Sequence, residues 1–301
     1  MQSKPETTAD PVSGILASAA AFLIWGLSPA YWKCLAAVPA TQIILHRIVW
    51  SFLLMLPLLA IQRRWGEFTQ AIGHRSTLTT LTISALMLCG NWFIYIWAVN
   101  NGHILQASLG YYIAPLVNVF LGMLFLKERL RRAQALALVL ATAGVCYLTL
   151  TYGVFPWVAL GLALSFGGYG LIRKVAPVAA LPGLAVETLL LSIPAGLLLL
   201  NLQRSGGGAF LHMGPRTDLL LAGTAPLTAV PLLLFTLGAR KIALTTLGFI
   251  QYLAPTGMFL LGVWVYDEPF SHAQAVTFAL IWTALGIFSA DMVLQHRRKQ
   301  S

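Results

Sequence analysis

The chain has 301 residues, of which 58% are hydrophobic and only 9% are charged. Soluble globular proteins are about 25% charged, so this composition excludes a soluble fold and indicates an integral membrane protein. The net charge of +10 comes from Lys and Arg in short segments between apolar runs, which indicates membrane topology rather than a nucleic-acid-binding face. We therefore expect a lipid bilayer, and no nucleic acid, among the partners.

Ten apolar segments are long enough to cross a bilayer, and we expect each to be an α-helix. A span needs about 20 mainly apolar residues, and a helix satisfies its own backbone groups in lipid. Residues 1–12 form a polar tail before the first span. The spans lie near 13–32, 42–62, 77–99, 105–126, 132–150, 155–172, 181–202, 217–238, 245–266 and 272–293. The predicted fold class is all-α integral membrane.

The Lys and Arg residues predict the orientation of these spans. With the N-terminus inside, fifteen of the 19 lie in cytoplasmic segments, Arg173 among them, three lie outside, and Arg47 lies within a span. Cytoplasmic loops of membrane proteins carry such an excess. We therefore expect both termini in the cytoplasm, with residues 294–301 as a basic C-terminal tail.

A shift of 140 residues aligns the chain with itself. The matched pairs are Tyr112 with Tyr252, Pro115 with Pro255, Gly122 with Gly262, Glu128 with Glu268 and Gln134 with Gln274. Because five helices separate the copies, the second copy is inverted in the membrane. We expect two five-helix repeats, 13–150 and 155–293, with a substrate site between them, as in secondary transporters. The alternative is a duplicated scaffold without a transport role.

Four segments resemble a known family: HRIVWS from His46, GNWFIYIWAVN from Gly90, ASLGYYIAPLVNVFLGMLFLKERL from Ala107 and TTLGFIQYLAP from Thr245. They are similar to the RarD branch of the EamA group in the drug/metabolite transporter superfamily, across nearly the whole chain. The resemblance implies ten helices, a bacterial inner-membrane location, and export or exchange of small metabolites or drugs.

Three ionisable residues inside spans, His46, Arg47 and Glu187, are candidates for gating or coupling. Arg47 lies roughly 9 Å into its span, so one interpretation is a cation that snorkels to the interface. The other is that His46 and Arg47 guard the periplasmic mouth and Glu187 the cytoplasmic mouth. About 12–15 Å of depth would separate Arg47 from Glu187, so we expect no direct ion pair.

Polar and aromatic residues at helical spacing form stripes that could line a site. The fourth span places Tyr111 and Asn118 on one face, and the ninth places Gln251 there. Aromatic walls with a few amides suit small amphipathic or zwitterionic solutes, whereas the alternative role of the amides is to hold helices together. The candidate substrate-binding residues are Trp25, Asn91, Trp92, Tyr95, Tyr111, Tyr112, Asn118, Tyr169, Gln251 and Tyr252.

Three prolines inside spans predict interruptions of the helices. Proline donates no backbone hydrogen bond and frees a carbonyl one turn earlier. A cavity or a neighbouring helix has to satisfy that carbonyl in the membrane. We therefore expect helix breaks at Pro29, Pro115 and Pro255.

Enzyme signatures do not accompany these features. The six histidines have no metal-binding spacing, and no nucleotide-binding loop is present, so we expect no enzyme, no metal and no cofactor. We expect a carrier whose halves rock about a central aromatic cavity and move amphipathic or zwitterionic solutes, amino-acid-like or chloramphenicol-like. A passive channel, an uptake carrier and, less favoured, a membrane enzyme are the alternatives. Small residues on the fifth span, such as Ala137 and Ala141, leave a scaffold contact or a homodimer face open.

Overall fold

The computed structural model describes residues 11–153, 155–267 and 271–300. These residues form thirteen α-helices and no β-strand, which confirms the all-α class. The helices are α1 (Pro11–Leu27), α2 (Pro29–Lys33), α3 (Ala40–Ile61), α4 (Trp65–Gly73), α5 (Arg75–Asn100), α6 (Ile104–Leu126), α7 (Arg132–Tyr152), α8 (Trp157–Val175), α9 (Ala180–Arg204), α10 (Pro215–Lys241), α11 (Leu244–Gln251), α12 (Leu253–Val265) and α13 (His272–Gln300). They provide ten spans long and apolar enough to cross a membrane, because α1 with α2 and α11 with α12 each form one. Glu268 of the predicted repeat and residues 1–10 of the predicted tail lie outside the described residues.

Helix breaks interrupt two of the three spans that contain the marked prolines. The first span breaks at Ser28, directly before Pro29, and the ninth at Tyr252, three residues before Pro255. The break predicted at Pro115 is wrong, because α6 runs through it without interruption. Gly248 of α11 packs so close that an added Cβ would lie 2.6 Å from the Pro115 carbonyl oxygen. The backbones of α6 and α11 therefore touch at the proline.

Two features near the helix ends differ from the predicted boundaries. The connection between the second and third spans contains α4, a short helix that buries Phe68 and Ala71 and packs on α9. At the other end of the chain, α13 continues to Gln300, so residues 294–300 extend the last helix rather than form a separate tail.

Eight of the ten spans form a closed ring. Around this ring, α1 contacts α10, followed by α3, α9, α5, α8, α6 and the α11–α12 span, which returns to α1. Helices from the first half of the chain alternate with helices from the second half. The two remaining spans, α7 and α13, pack on each other beside α6.

The two halves of the chain are interleaved in this ring. Each neighbouring pair in the ring joins one helix from residues 11–153 to one from residues 155–267. A rigid displacement of one half against the other would therefore shift every one of these contacts. The rocking of the two halves stays a prediction.

The stripe of small residues on α7 is covered by the same chain. Ala137 and Ala141 are fully buried, and Gly144 faces Thr277 and Leu280 of α13. Thr277 also donates a hydrogen bond to the Gly144 carbonyl at 3.1 Å. This stripe is therefore a contact within the chain, and it is not a free homodimer face.

The α1–α12 contact depends on two glycines. An added Cβ at Gly26 would lie 2.9 Å from the Ala254 carbonyl oxygen and 3.3 Å from the Gly257 Cα. Since both of these are backbone atoms, they cannot move aside as a flexible side chain could. The ring closes at this position only because neither helix carries a side chain there.

We expect Gly26→Ala to lower the free energy of unfolding by about 1–3 kcal/mol, because it overpacks a backbone contact. The matched control is Gly196→Ala on α9, where an added Cβ meets no described atom within 4 Å. That change should be neutral or stabilising by about 0.5–1 kcal/mol, since alanine favours the helix. Thermal unfolding in detergent measures both, and equal effects would contradict the close contact.

Candidate functional site

Arg47 projects into the centre of the ring. Its Nε donates a hydrogen bond to Thr228 Oγ1 of α10 at 2.9 Å. Its guanidinium carbon lies over two indole rings, 4.9 Å from the centroid of Trp32 and 5.1 Å from that of Trp92. It also interacts electrostatically with Tyr95 and Tyr111. Because α5 and α6 are not neighbours of α3 in the ring, these contacts have to cross its interior.

The depth of this contact decides against snorkelling. Thr228 is the fourteenth of the 27 residues of α10, so it lies about 20 Å from either end of that helix. Arg47 therefore extends toward mid-membrane, and the interpretation of an interfacial anchor is wrong. We refer to the six residues Trp32, Arg47, Trp92, Tyr95, Tyr111 and Thr228 as the Arg47 cluster.

His46 does not join this cluster, although it adjoins Arg47 in sequence. Its ring packs on Phe210, in the connection between α9 and α10, with centroids 5.4 Å apart. Gln42, one turn earlier, holds the same connection through hydrogen bonds to the Gly207 carbonyl at 2.8 Å and from the Ala209 amide at 2.7 Å. Successive helical residues point about 100° apart, so His46 fixes a connection while Arg47 reaches the centre.

The second charged group in the ring is an ion pair between Arg173 of α8 and Glu187 of α9. Arg173 Nε lies 3.5 Å from Glu187 Oε1, and both side chains are 0% exposed. The hydroxyl groups of Tyr169 and Ser84 approach the carboxylate, and that of Thr236 approaches Tyr169. We refer to these five residues as the Glu187 cluster. The prediction that Arg173 lies in a cytoplasmic segment is therefore wrong, because it is a buried residue of α8.

Hydrogen bonding within the Glu187 cluster is incomplete. Among the described residues, neither Glu187 oxygen has a partner with hydrogen-bond geometry, and the same holds for the hydroxyls of Ser84, Tyr169 and Thr236. Arg173 Nη2 donates to the Ala180 carbonyl at 3.1 Å and to the Ala179 carbonyl at 3.5 Å. Unsatisfied buried polar groups cost free energy, so small rearrangements of these helices can exchange partners within the cluster.

Gly183 provides the space for the Arg173 guanidinium. An added Cβ at this position would overlap the terminal nitrogens of Arg173. Gly183 lies one helical turn before Glu187 on the same helix, so the glycine and the acid present a matched surface to the cation.

Basic side chains close the ring at the end beyond the Glu187 cluster. Lys174 of α8 donates hydrogen bonds to the Ala239 and Ile242 carbonyls at the end of α10, at 2.8 and 2.5 Å. Arg240 of α10 donates in return to the Ala176 carbonyl, just after α8, at 2.7 Å. Cations favour helix C-termini, where carbonyls lack partners within the helix. Each helix thus caps the other.

Glu128 makes a similar connection with the opposite charge. Its two carboxylate oxygens accept hydrogen bonds from the backbone amides of Leu244 and Thr245, at 2.7 and 2.8 Å. These are the first residues of α11, where amides lack partners and the helix dipole favours an anion. The end of α6 is thereby joined to the start of α11.

The two clusters lie at different depths and differ in accessibility. On α5, Ser84 of the Glu187 cluster and Trp92 of the Arg47 cluster are eight residues apart. Thr236 and Thr228 on α10 have the same separation, which corresponds to about 12 Å along a helix. Arg47 is only half-buried, whereas no member of the Glu187 cluster is more than 1% exposed. The Arg47 cluster is thus less completely buried than the Glu187 cluster.

The remaining candidate substrate-binding residues lie outside the Arg47 cluster. Trp25 packs on Phe166 and Phe235, with centroids 5.6 and 5.9 Å apart, and Tyr169 stacks on Phe235. Asn91 donates hydrogen bonds to the Leu162 carbonyl and to Ser165 of α8. These residues hold helices together, which the sequence left as an alternative.

The paired stripes of the fourth and ninth spans face each other. Asn118 donates a hydrogen bond to Gln251 at 2.5 Å, and both side chains are buried. Tyr252 donates to the Tyr112 carbonyl at 3.4 Å, although these two residues are 140 positions apart. One pair matched by the internal alignment, Tyr112 with Tyr252, therefore meets where the fourth and ninth spans pack together.

The sequence missed several residues that complete the clusters. Trp32 lies at the end of an apolar run, and Thr228 lies between Pro226 and Pro231 inside a span. A polar residue flanked by two prolines in an apolar segment was a usable signal for Thr228. Ser84 and Thr236 carried no comparable signal, because isolated hydroxyls are common in membrane helices.

Comparisons with known proteins agree with this architecture. A family model described as the EamA-like transporter family matches residues 12–150. The chain is 46% identical to "Protein RarD" of Salmonella typhi over 289 residues, which cover 95% of this chain and 97% of that protein. It is 45% identical to an "Uncharacterized transporter" of Vibrio cholerae over 282 residues, covering 94% and 93%.

A protein of known crystal structure shares the fold. The two structures superpose with a TM-score of 0.73, covering 91% of this chain and 96% of the other, at 19% sequence identity. At this identity the likeness concerns the fold alone.

We expect Glu187→Leu to lower the free energy of unfolding by about 3–5 kcal/mol, because it leaves the Arg173 cation buried without a partner. The double variant Arg173→Met/Glu187→Leu should recover much of the loss, since it removes both charges. The matched control is Glu67→Leu, whose exposed pair with Arg64 should contribute at most about 1 kcal/mol. Additive losses in the double variant, measured by denaturant unfolding in detergent, would contradict the coupling.

Proposed function

The chain belongs to the EamA-like transporter family, and from this premise we propose that it is a secondary transporter moving small organic solutes by alternating access. It is a multi-pass membrane protein related to RarD proteins and to other transporters. We propose that its solutes are amphipathic or zwitterionic, and that it exports or exchanges them across the bacterial inner membrane.

The Arg47 cluster carries this proposal. Five helices contribute to it, from both halves of the chain, and it lies at the level of the middle of α10. It combines a cation, two indole rings and two phenol rings, which suit a small solute with a polar group and an apolar body. Secondary transporters bind their substrates between repeats near mid-membrane.

The difference between the two ends of the ring supports alternating access. The Glu187 cluster, the caps of Lys174 and Arg240, and Glu128 hold one end of the ring together, whereas the Arg47 cluster is less buried. We propose that the sealed end is cytoplasmic, because the excess of Lys and Arg lies there. The structure then corresponds to an outward-facing state, and opening inward requires the sealing contacts to separate.

The pattern of helix contacts supports an inverted repeat. Each span can be replaced by its counterpart five spans away in the chain. The α1–α10 contact then becomes the α8–α5 contact, and the α6–α8 contact becomes the contact of α1 with the α11–α12 span. The contacts α3–α9, α6–α11 and α7–α13 each map onto themselves. Such symmetry lets the open and the sealed end exchange roles by equivalent movements.

Two alternatives are decided by the kinetics of transport. A channel would conduct solute down its gradient without accumulating it, and an uptake carrier would use the same site in the opposite direction. An enzyme is the less favoured alternative, because Ser84 and Glu187, the hydroxyl and carboxylate that lie close together, are both fully buried and out of reach of a substrate.

Counterflow in proteoliposomes tests the carrier proposal. With unlabelled solute inside, we expect saturable, transient accumulation of the labelled solute, because one site alternates between the two sides. The panel consists of labelled amino acids and small amphipathic drugs, each tested against its own unlabelled pool. Rapid equilibration without accumulation would instead show a channel.

Glu187→Gln is the matched variant for the sealed end. It keeps the size of the side chain and removes its charge, so the ion pair with Arg173 is lost. If Glu187 couples transport to protons, its replacement should flatten the dependence of the transport rate between about pH 5 and about pH 8. A wild-type rate and pH profile in this variant would exclude both the gating and the coupling role of Glu187.

A reporter fused after Ser301 tests the proposed orientation. We expect a fluorescent protein at this position to fold and fluoresce, and alkaline phosphatase to remain inactive, because the C-terminus should face the cytoplasm. The same pair of reporters inserted in the α9–α10 connection, after Gly206, should give the opposite result. Active phosphatase at Ser301 would contradict the orientation and would reverse the assignment of the sealed end.

A further inference from the structure

Arg47 is a cation without an anionic partner inside the membrane-spanning ring. In the described part of the chain, the ion pairs are Arg64 with Glu67, Arg131 with Asp291 and Arg173 with Glu187. Charged side chains within spans usually pair with a countercharge or face a cavity. Arg173, the other cation at the centre of the ring, has its acid. Among the described residues, the one acceptor of Arg47 is the neutral hydroxyl of Thr228.

The surroundings of Arg47 hold the guanidinium without neutralising it. Trp32 and Trp92 present their ring faces to it, and cation–π contacts of this kind are attractive. Thr228 accepts from Nε, which fixes the plane of the group. Among the described residues, no acceptor occupies Nη1 or Nη2. Their N–H groups form a fork that matches the two oxygens of a carboxylate.

We propose that Arg47 binds the carboxylate of a monoanionic or zwitterionic solute, whose apolar body packs against Trp32, Trp92, Tyr95 and Tyr111. This inference rests on the proposed transport function and names the chemical group that the site recognises. A single guanidinium neutralises a single carboxylate, whereas a phosphate dianion would leave an uncompensated charge in a poorly solvated site. The tyrosine hydroxyls add donors for the same oxygens.

The position of Arg47 relative to the sealed end connects binding with the conformational change. The site is about 12 Å from the Glu187 cluster along α5 and α10, which carry residues of both. A bound carboxylate neutralises Arg47 and so removes the cost of enclosing it when the outer end closes. An unoccupied Arg47 resists closure, which disfavours movement of the empty carrier.

The test compares an acid with its neutral amide on the purified full-length protein in an uncharged detergent. The probes are 3-phenylpropanoate and 3-phenylpropanamide, which share an aromatic body, and isothermal titration calorimetry gives each dissociation constant. We expect the acid to bind at least about tenfold more tightly than the amide, because hydrogen bonds to charged groups are the stronger ones. Arg47→Gln should weaken binding of the acid and leave binding of the amide unchanged, so that the preference for the acid is lost.

Two further variants separate recognition from loss of structure. Arg47→Lys keeps the charge and loses the fork, so it should retain part of the preference. Arg75→Gln removes an exposed cation outside the ring and should bind both probes as the wild type does. Thermal unfolding establishes that each variant is folded. If Arg47→Gln does not fold, the proposal is tested by comparing the ratio of the acid and amide dissociation constants between the wild type and Arg47→Lys.

Equal affinities for acid and amide in the wild type, or no saturable binding of the acid at millimolar concentration, would overturn the proposal. So would a full preference for the acid in Arg47→Gln. Because binding is measured without transport, the two proposals fail separately. Carboxylate binding without counterflow would support the binding site and contradict the carrier proposal. Counterflow of neutral or cationic solutes alone would support the carrier proposal and contradict the binding site.

Discussion

The cost of placing a charged side chain inside a membrane is the constraint on which this structure depends. Two arginines reach the centre of the ring, and each meets this cost differently. Arg173 is fully enclosed and has an acid, Glu187, with Gly183 making room for it. Arg47 is half-buried and has indole faces and one hydroxyl. One cation is thus compensated within the protein, and the other stays available to a solute.

The alternation of helices around the ring explains how these two environments form. Since each ring neighbour comes from the other half of the chain, Arg47 and Glu187 each meet residues from both halves. The predicted repeat places an ionisable residue on α3 and another on α9, and their partners differ. The helix contacts are symmetric between the two halves, whereas the charges are not. We propose that this asymmetry lets one end of the ring be sealed while the other opens.

Hydropathy and residue type predicted much of the fold and part of the site. Trp92, Tyr95 and Tyr111, which we expected to line a substrate site, lie around Arg47, and their role in binding a substrate stays a prediction. We expected Asn118 and Gln251 to line the site as well, but they hydrogen-bond to each other. Two amides on facing helices are satisfied more easily by one another than by a solute. Arg173 was assigned to a loop because it lies close to the end of its apolar run. Only the structure shows that it is buried, with Glu187 and Gly183 of α9 against its guanidinium.

The sequence by itself determined the membrane class, the ten spans and the family, since each depends on residue composition over about 20 positions or on identity along the chain. It could not determine which direction a side chain takes into the ring or which partner it meets. Arg47 and Thr228 are 181 positions apart, and His46 and Arg47 are adjacent yet face different places. Tertiary packing alone decided these contacts, because the cost of an unpaired charge depends on what neighbouring helices bring to it.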